Sequence, residues 1–153
     1  MPLPLPAEQL PHVAISRASG PIKIDGDLGD AGWQGIPKIE TWYETNPADN
    51  VPSKIGNVGY LAYDEKFFYA AFEFQDPHPR QIRAPFADRD NVSSETDYGG
   101  VILDTRNDGK TGVLFLANPR GIQYDAVSDD TLGGEDSSPD FFWESVGRIT
   151  GTG

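Results

Sequence analysis

The stretch from Asp97 to Asp125 constrains the fold more than any other. Tyr98-Gly99-Gly100-Val101-Ile102-Leu103 is an apolar run, Thr105 to Lys110 is polar, and Thr111-Gly112-Val113-Leu114-Phe115-Leu116-Ala117 is a second apolar run. Two short apolar runs around a polar turn predict a β-hairpin. Asn107-Asp108-Gly109 supplies residues that tolerate the positive φ a tight turn requires. Asn118-Pro119-Arg120-Gly121 then places Pro and Gly as in a type I turn, and Ile122-Gln123-Tyr124-Asp125 opens a third strand. Both hairpin strands are apolar at nearly every position, which predicts burial on both faces or a central place in a sheet.

A second hairpin is expected from Lys54–Tyr63 and Phe67–Gln75, turned at Asp64-Glu65-Lys66. Phe68, Ala70, Phe72 and Phe74 alternate, share one face and read as core. Shorter strands are expected near Val13–Ser16, at Ile22-Lys23-Ile24, over Glu40–Thr45 and over Phe141–Ile149. Leu28 to Gln34 fits a single helical turn that buries Trp33, with Asp30 as a candidate N-cap, because Gly29, Gly32 and Gly35 oppose a longer helix. Asn46–Ser53, Asp76–Ser94 and Asp129–Asp140 read as loops. With 17 Gly, 13 Pro and no long amphipathic helix, the chain is expected to be all-β. A two-sheet antiparallel β-sandwich is the natural way to bury these faces. The domain organisation expected is an extended leader over residues 1–20 and one β-sandwich domain over 21–153.

Charge and composition exclude several functions. A net charge of −12 argues against nucleic acid and anionic membrane surfaces, which need basic patches. With no Cys there is no disulfide, thiolate nucleophile or Cys-based metal site. No apolar run is long enough to span a bilayer, and Met1 to Glu8 lacks the basic and apolar regions of an intact signal peptide. The two histidines, His12 and His78, lie in Pro-rich segments without metal-ligand spacing, and no Gly-x-Ser-x-Gly elbow exists. Gly109-Lys110-Thr111 lacks the earlier glycine of a phosphate loop and joins two strands. No catalytic activity is expected.

Two constellations carry possible chemistry. The aromatic one is Trp42, Tyr43, Tyr98, Tyr124 and Trp143. Sugars present C–H faces that stack on exposed rings while their hydroxyls bond nearby carboxylates and amides. Trp42, Tyr43, Tyr124 and Trp143 are accordingly the candidate saccharide-binding residues, with Trp42 first. The acidic one is Asp97, Asp104, Asp108, Asp125, Asp129 and Asp130. Loop-borne oxygen ligands suit calcium, so Asp97, Asp104, Asp108 and Asp125 are the candidate Ca²⁺ ligands. Turn-forming Asp and ring packing are the competing explanations.

Ile24-Asp25-Gly26-Asp27-Leu28 followed by Ala31-Gly32-Trp33 resembles the opening of domains similar to the family 9 carbohydrate-binding module. Val58-Gly59-Tyr60-Leu61-Ala62-Tyr63-Asp64, Phe68-Tyr69-Ala70-Ala71-Phe72, Asp76-Pro77, Asp88-Arg89-Asp90, Leu103-Asp104-Thr105, Asn118-Pro119-Arg120-Gly121 and Trp143-Glu144 follow in order. The nearest variety is the one found ahead of a domain that looks like an outer-membrane β-barrel. The resemblance implies a β-sandwich, a non-catalytic saccharide-binding role, sometimes with calcium, and an exported bacterial parent protein, with the rest of that protein as partner. Trp33 and Trp143 belong to the framework of that pattern, whereas Trp42 lies where it is looser. The family domain continues for further strands, so the chain is expected to lack its last ones. Competing expectations are a structural or interaction domain of a surface β-barrel protein without sugar affinity, and a haem-binding sandwich. The latter is disfavoured because Met1 is the only Met and both His lie in Pro-rich segments.

Overall fold

The computed structural model describes residues 12–47 and 50–153. The expected leader over 1–20 therefore lies, in its first eleven residues, outside the described residues, as do two residues of the expected loop Asn46–Ser53. The chain is nearly all β, as expected, and its strands are predominantly antiparallel. Among the described residues no helix is long and apolar enough to cross a membrane. The chain packs as two compact units, one from 12–22 with Leu28–Asp76, the other from Lys23–Asp27 with Pro77–Gly153.

The first unit is built on the predicted Asp64 hairpin. Its strands are β1 (Ser16–Arg17), β2 (Tyr43–Glu44), β3 (Val51–Pro52), β4 (Asn57–Tyr63) and β5 (Phe68–Phe74). β4 and β5 pair antiparallel from Asn57↔Phe74 to Tyr63↔Phe68, β1 joins β4 in parallel, and β2 and β3 form a separate ribbon. The turn closes because Asp64 Oδ1 accepts the N–H groups of Lys66 and Phe67 at 2.7 and 2.8 Å, while Oδ2 accepts the Tyr69 hydroxyl at 2.8 Å. Those bonds, the one from Lys66 first, hold the Asp64 carboxyl below its ordinary value.

Ala31–Trp33 forms the expected single turn, a 3₁₀ turn, and Trp33 is 8% exposed. Asp30 sits at its N-cap position but makes no side-chain capping bond. Trp33, Ile36 and Ala62 are the buried core, with Ile22, Leu28, Tyr60, Tyr69 and Ala71 packed against them. This corrects one expectation. The core face of β5 carries Tyr69 and Ala71, whereas Phe68, Ala70 and Phe74 are exposed and Phe72 is half-buried. Alternation gives two faces and does not say which is inside. The single Trp of the preceding turn, meeting Tyr60 and Tyr69 at 6.3 and 6.4 Å, decides it.

The second unit contains β6 (Gly99–Leu103), β7 (Thr111–Ala117), β8 (Gln123–Asp129) and β9 (Gly134–Asp136), antiparallel in that order. β6 and β7 pair from Gly99↔Ala117 to Leu103↔Val113, around a turn with φ of 53° at Asn107 and 63° at Gly109. Asp104 braces that turn by accepting the N–H groups of Arg106, Asp108 and Gly109, and Asp108 accepts those of Lys110 and Thr111. β7 is central and half-buried or buried throughout, as its unbroken apolar run predicts. β6 is an edge instead, with Ile102 65% exposed.

The Asn118-Pro119-Arg120-Gly121 turn holds a 2%-exposed Asn118 whose amide oxygen and nitrogen are both hydrogen-bonded. Its Oδ1 accepts the N–H groups of Arg120 and Ile122, and its Nδ2 donates to Pro85 O. That bond, with Arg120 Nε to Ala84 O at 2.7 Å and Asp90 N to Gln123 O at 3.0 Å, ties down the long 76–94 segment. Three local expectations fail. Ile22-Lys23-Ile24 carries no strand, β3 and β9 lie inside expected loops, and Phe141–Ile149 forms no ladder. The last still alternates half-buried and exposed residues like a strand. Its groups bond to side chains and a turn instead: Phe141 N to Asp125, Trp143 O from Gln123 Nε2, Ser145 Oγ to Gly121 O.

Candidate functional site

The first unit carries an open cleft of about 290 Å³ bordered by Glu40, Trp42, Tyr43, Pro52, Ser53 and Ile55. The β2–β3 ribbon builds it. Tyr43 pairs with Pro52, and Ser53 N donates to Trp42 O at 2.9 Å. Neighbouring residues of an extended strand face opposite ways, so Trp42 and Tyr43 divide the work. Trp42 is half-buried. Its Nε1 donates to Ile39 O at 2.9 Å, and its ring meets Phe72 and Phe74 edge-on at 6.2 and 6.3 Å. It also lies over Gly59, where an added Cβ would come within 2.9 Å of the indole. Tyr43 is 44% exposed, and Glu40, an exposed carboxylate, borders the same cleft. Such a pair offers a ring for a sugar's C–H face and an acceptor for its hydroxyls.

The other two aromatic candidates lie in the second unit and serve its packing. Trp143 is half-buried, packs edge-on against Phe115 at 5.5 Å and donates its Nε1 to Asp125 Oδ1 at 2.9 Å. Tyr124 is half-buried and donates its hydroxyl to Glu135 Oε2 at 2.8 Å. Burial, then the Glu135 bond and charge, push that phenol up to about 12.

The four candidate calcium ligands are not brought together. Asp97 accepts the backbone N–H of Arg83 at 2.8 Å and pairs with its guanidinium at 3.4 Å, while Asp104 and Asp108 brace the β6–β7 turn. Asp125 belongs to a different group. Among the described residues, Asp90, Asp125 and Asp140 place carboxylate oxygens within 4.8 Å of one another, a spacing able to hold a metal ion. Arg89 lies among these three acids. Its guanidinium reaches Asp125 at 2.5 Å, Asp140 at 2.9 Å and Asp90 at 3.3 Å, and Nη2 also donates to Phe141 O at 2.5 Å.

Asp125 is fully buried, and both of its oxygens are satisfied, Oδ1 by Arg89 and Trp143, Oδ2 by Phe141 N–H at 3.0 Å. Burial raises its pKa, but the bonds from Trp143, Phe141 and Arg89 outweigh burial and leave it below the ordinary value. A carboxylate kept ionised and saturated with donors holds structure and is a poor proton carrier. Arg89, Asp90 and Asp140 escape a search for aromatic and acidic clusters. The available signal is Asp88-Arg89-Asp90, a cation flanked by acids in a Pro-rich segment.

No protein-family model matches the chain, and neither a curated protein nor a solved structure matches it.

Proposed function

We propose that the chain is a non-catalytic saccharide-binding module of an exported bacterial protein, and that the β2–β3 cleft is its site. The observation that carries this reading is the exposed Tyr43 ring in an open cleft that Glu40 and the hydrogen-bonded Trp42 also border. The ordered resemblance to family 9 carbohydrate-binding modules agrees with it and supplies the exported setting. Tyr43 takes the stacking role first expected of Trp42, and Trp42 holds the cleft's shape. Trp143 and Tyr124 are framework residues in this reading.

An open cleft with one stacking ring and few polar contacts implies weak affinity, on the order of 10 μM to 1 mM. Titration calorimetry with glucan, xylan and bacterial surface oligosaccharides tests it, with Tyr43→Ala as the control.

For the acidic cluster we infer that Arg89 is the resident cation. Calcium, the ion expected from the loop acids, would have to displace a guanidinium ion-paired with all three carboxylates. The competing reading, a structural or interaction domain of a surface protein, is favoured by one feature of the first unit, the exposed aromatic side chains Phe68 and Phe74 of β5.

A further inference from the structure

Sheet edges expose backbone groups, and proteins ordinarily blunt them with short strands, charges, Pro or bulges. Two of the four edges of the two larger sheets fit that rule: β1 has two residues and ends in Arg17, and β9 has three and carries Glu135 and Asp136. β6 has five residues, opens on Gly99-Gly100 and carries no charge. β5 is the longest of the four. It is an edge seven residues long, Phe-Tyr-Ala-Ala-Phe-Glu-Phe, without Pro, Gly or a basic residue and with Glu73 as its one charge.

Two backbone bonds fix which of its groups point outward. Asp64 N donates to Phe67 O at 2.9 Å and Gln75 N to Gly56 O at 3.3 Å, one at each end of the β4–β5 ladder. In an antiparallel pair, residues that exchange hydrogen bonds alternate with residues that do not. With the register Asn57↔Phe74 to Tyr63↔Phe68, the odd-numbered residues Tyr69, Ala71 and Glu73 bond to β4. The N–H and C=O of Phe68, Ala70, Phe72 and Phe74 therefore point away from it. No backbone bond from another described residue reaches them.

We propose that this edge pairs with β5 of a second copy of the chain, antiparallel about a two-fold axis through Ala71. The parity selects that register. It sets Phe68 opposite Phe74 and Ala70 opposite Phe72, so that every outward N–H and C=O of the seven-residue strand finds a partner. Registers centred on an even-numbered residue next to Ala71 leave one end of the strand unpaired. The side chains agree with it. Each Phe72 lies opposite the small Ala70 and each Phe68 opposite a Phe74, aromatic pairing of the kind that supports sheets. Each Glu73 faces Tyr69, and the two Glu73 stand four residues apart along the strand, beyond about 10 Å, where salt screens their repulsion. A second copy fits these constraints because an isologous contact needs a self-complementary edge. The pairing does not depend on saccharide binding, and a result on one leaves the other standing.

Analytical ultracentrifugation of the full chain between micromolar and millimolar concentration, with amide hydrogen exchange at both ends of that range, tests the pairing. The expected result is a concentration-dependent dimer in which the amides of Phe68, Ala70, Phe72 and Phe74 slow on dimerisation. Those of Tyr69, Ala71 and Glu73 are already protected in the monomer. Ala70→Pro removes one outward N–H without touching the β4 ladder, and is expected to keep the circular dichroism spectrum and remain monomeric. Should that variant unfold, exchange in the native chain decides: slowing of the even-numbered amides with concentration supports the pairing. A chain that stays monomeric to millimolar concentration overturns it, as does a dimer that persists in folded Ala70→Pro. Even-numbered amides equally slow at all concentrations would show the edge covered within one molecule, and would overturn it too.

Discussion

Arg89 Nη2 meets Asp125 Oδ1 at 2.5 Å, joining the Pro-rich 76–94 segment to the fully buried carboxylate of β8. The same carboxylate holds Phe141 and Trp143, so one side chain organises three segments of the second unit. Burying a carboxylate is costly unless it is paired and hydrogen-bonded, and here both conditions are met.

Arg89→Ala leaves Asp125 buried beside Asp90 and Asp140 with no cation. The expected loss is about 2 kcal/mol. It falls below the roughly 3–5 kcal/mol for breaking a pair buried on both sides, because the Arg89 side chain is 35% exposed. Urea unfolding measures it. The variant should also acquire a calcium response. Its melting temperature is expected to rise in millimolar calcium, because an ion that binds the native state alone stabilises it, whereas the native chain should melt alike in calcium and chelator. A calcium-dependent native chain would show that the guanidinium is displaceable.

The pH dependence follows from the direction of the Asp125 shift. Its folded pKa lies below the ordinary 3.8, so the folded state binds the proton less readily than the unfolded chain. The stabilisation is complete above that ordinary value and is lost as pH falls through the lower folded value. Asp104 and Asp108, also lowered, by bonds led by Gly109 N–H and Thr111 N–H, act in the same direction. Stability should be flat from neutral pH to about pH 5 and fall steeply below pH 4. Asp125→Asn should be less stable at neutral pH and lose less on acidification. Equal acid slopes in the two proteins would remove Asp125 as a contributor.

Trp33→Ala empties the centre of the first unit's core, where Trp33 packs against Tyr60 and Tyr69. A loss of about 3–5 kcal/mol is expected for a buried ring. Phe68→Ala, at an exposed position of β5, should cost under about 1 kcal/mol. Similar losses for the two would mean that the core lies on the other face of the sheet.

The two long hairpins were legible because local chemistry defines them: apolar runs of strand length around turns that Asn107, Gly109 and Asp64 are suited to make. The burial of Trp33 was legible for a similar reason, as the one large apolar residue in a Gly-rich turn. What alternation withheld was the sense of the faces. Phe68 and Phe74 look more like core than Tyr69 and Ala71, yet the latter meet Trp33 and Ala62. Phe141–Ile149 looked like a strand, and its burial does alternate, but its polar groups are met by Asp125 and Gln123 side chains. The candidate acids divided along the same line. Asp104 and Asp108 satisfy nearby backbone, as turn Asp commonly does, whereas Asp97 reaches back 14 residues to Arg83 and the partners of Asp125 lie 16 to 36 residues away, at Phe141, Trp143, Asp90 and Arg89. Trp42 and Tyr43 were found together, but which ring is exposed depends on Ile39, Gly59 and Phe72, which no local pattern connects.

Calorimetric titration of the native chain, Tyr43→Ala and Trp42→Ala with oligosaccharides tests the central claim most directly. The native chain is expected to bind at least one glucan, xylan or bacterial surface glycan with a Kd on the order of 10 μM to 1 mM, about −7 to −4 kcal/mol. Tyr43→Ala should abolish binding with an unchanged melting temperature, because its ring is exposed. Trp42→Ala should lose binding and about 2 kcal/mol of stability, since its half-buried indole braces the cleft. Binding that survives Tyr43→Ala, or the absence of binding to every glycan, would contradict the assignment and leave the interaction-domain reading in its place.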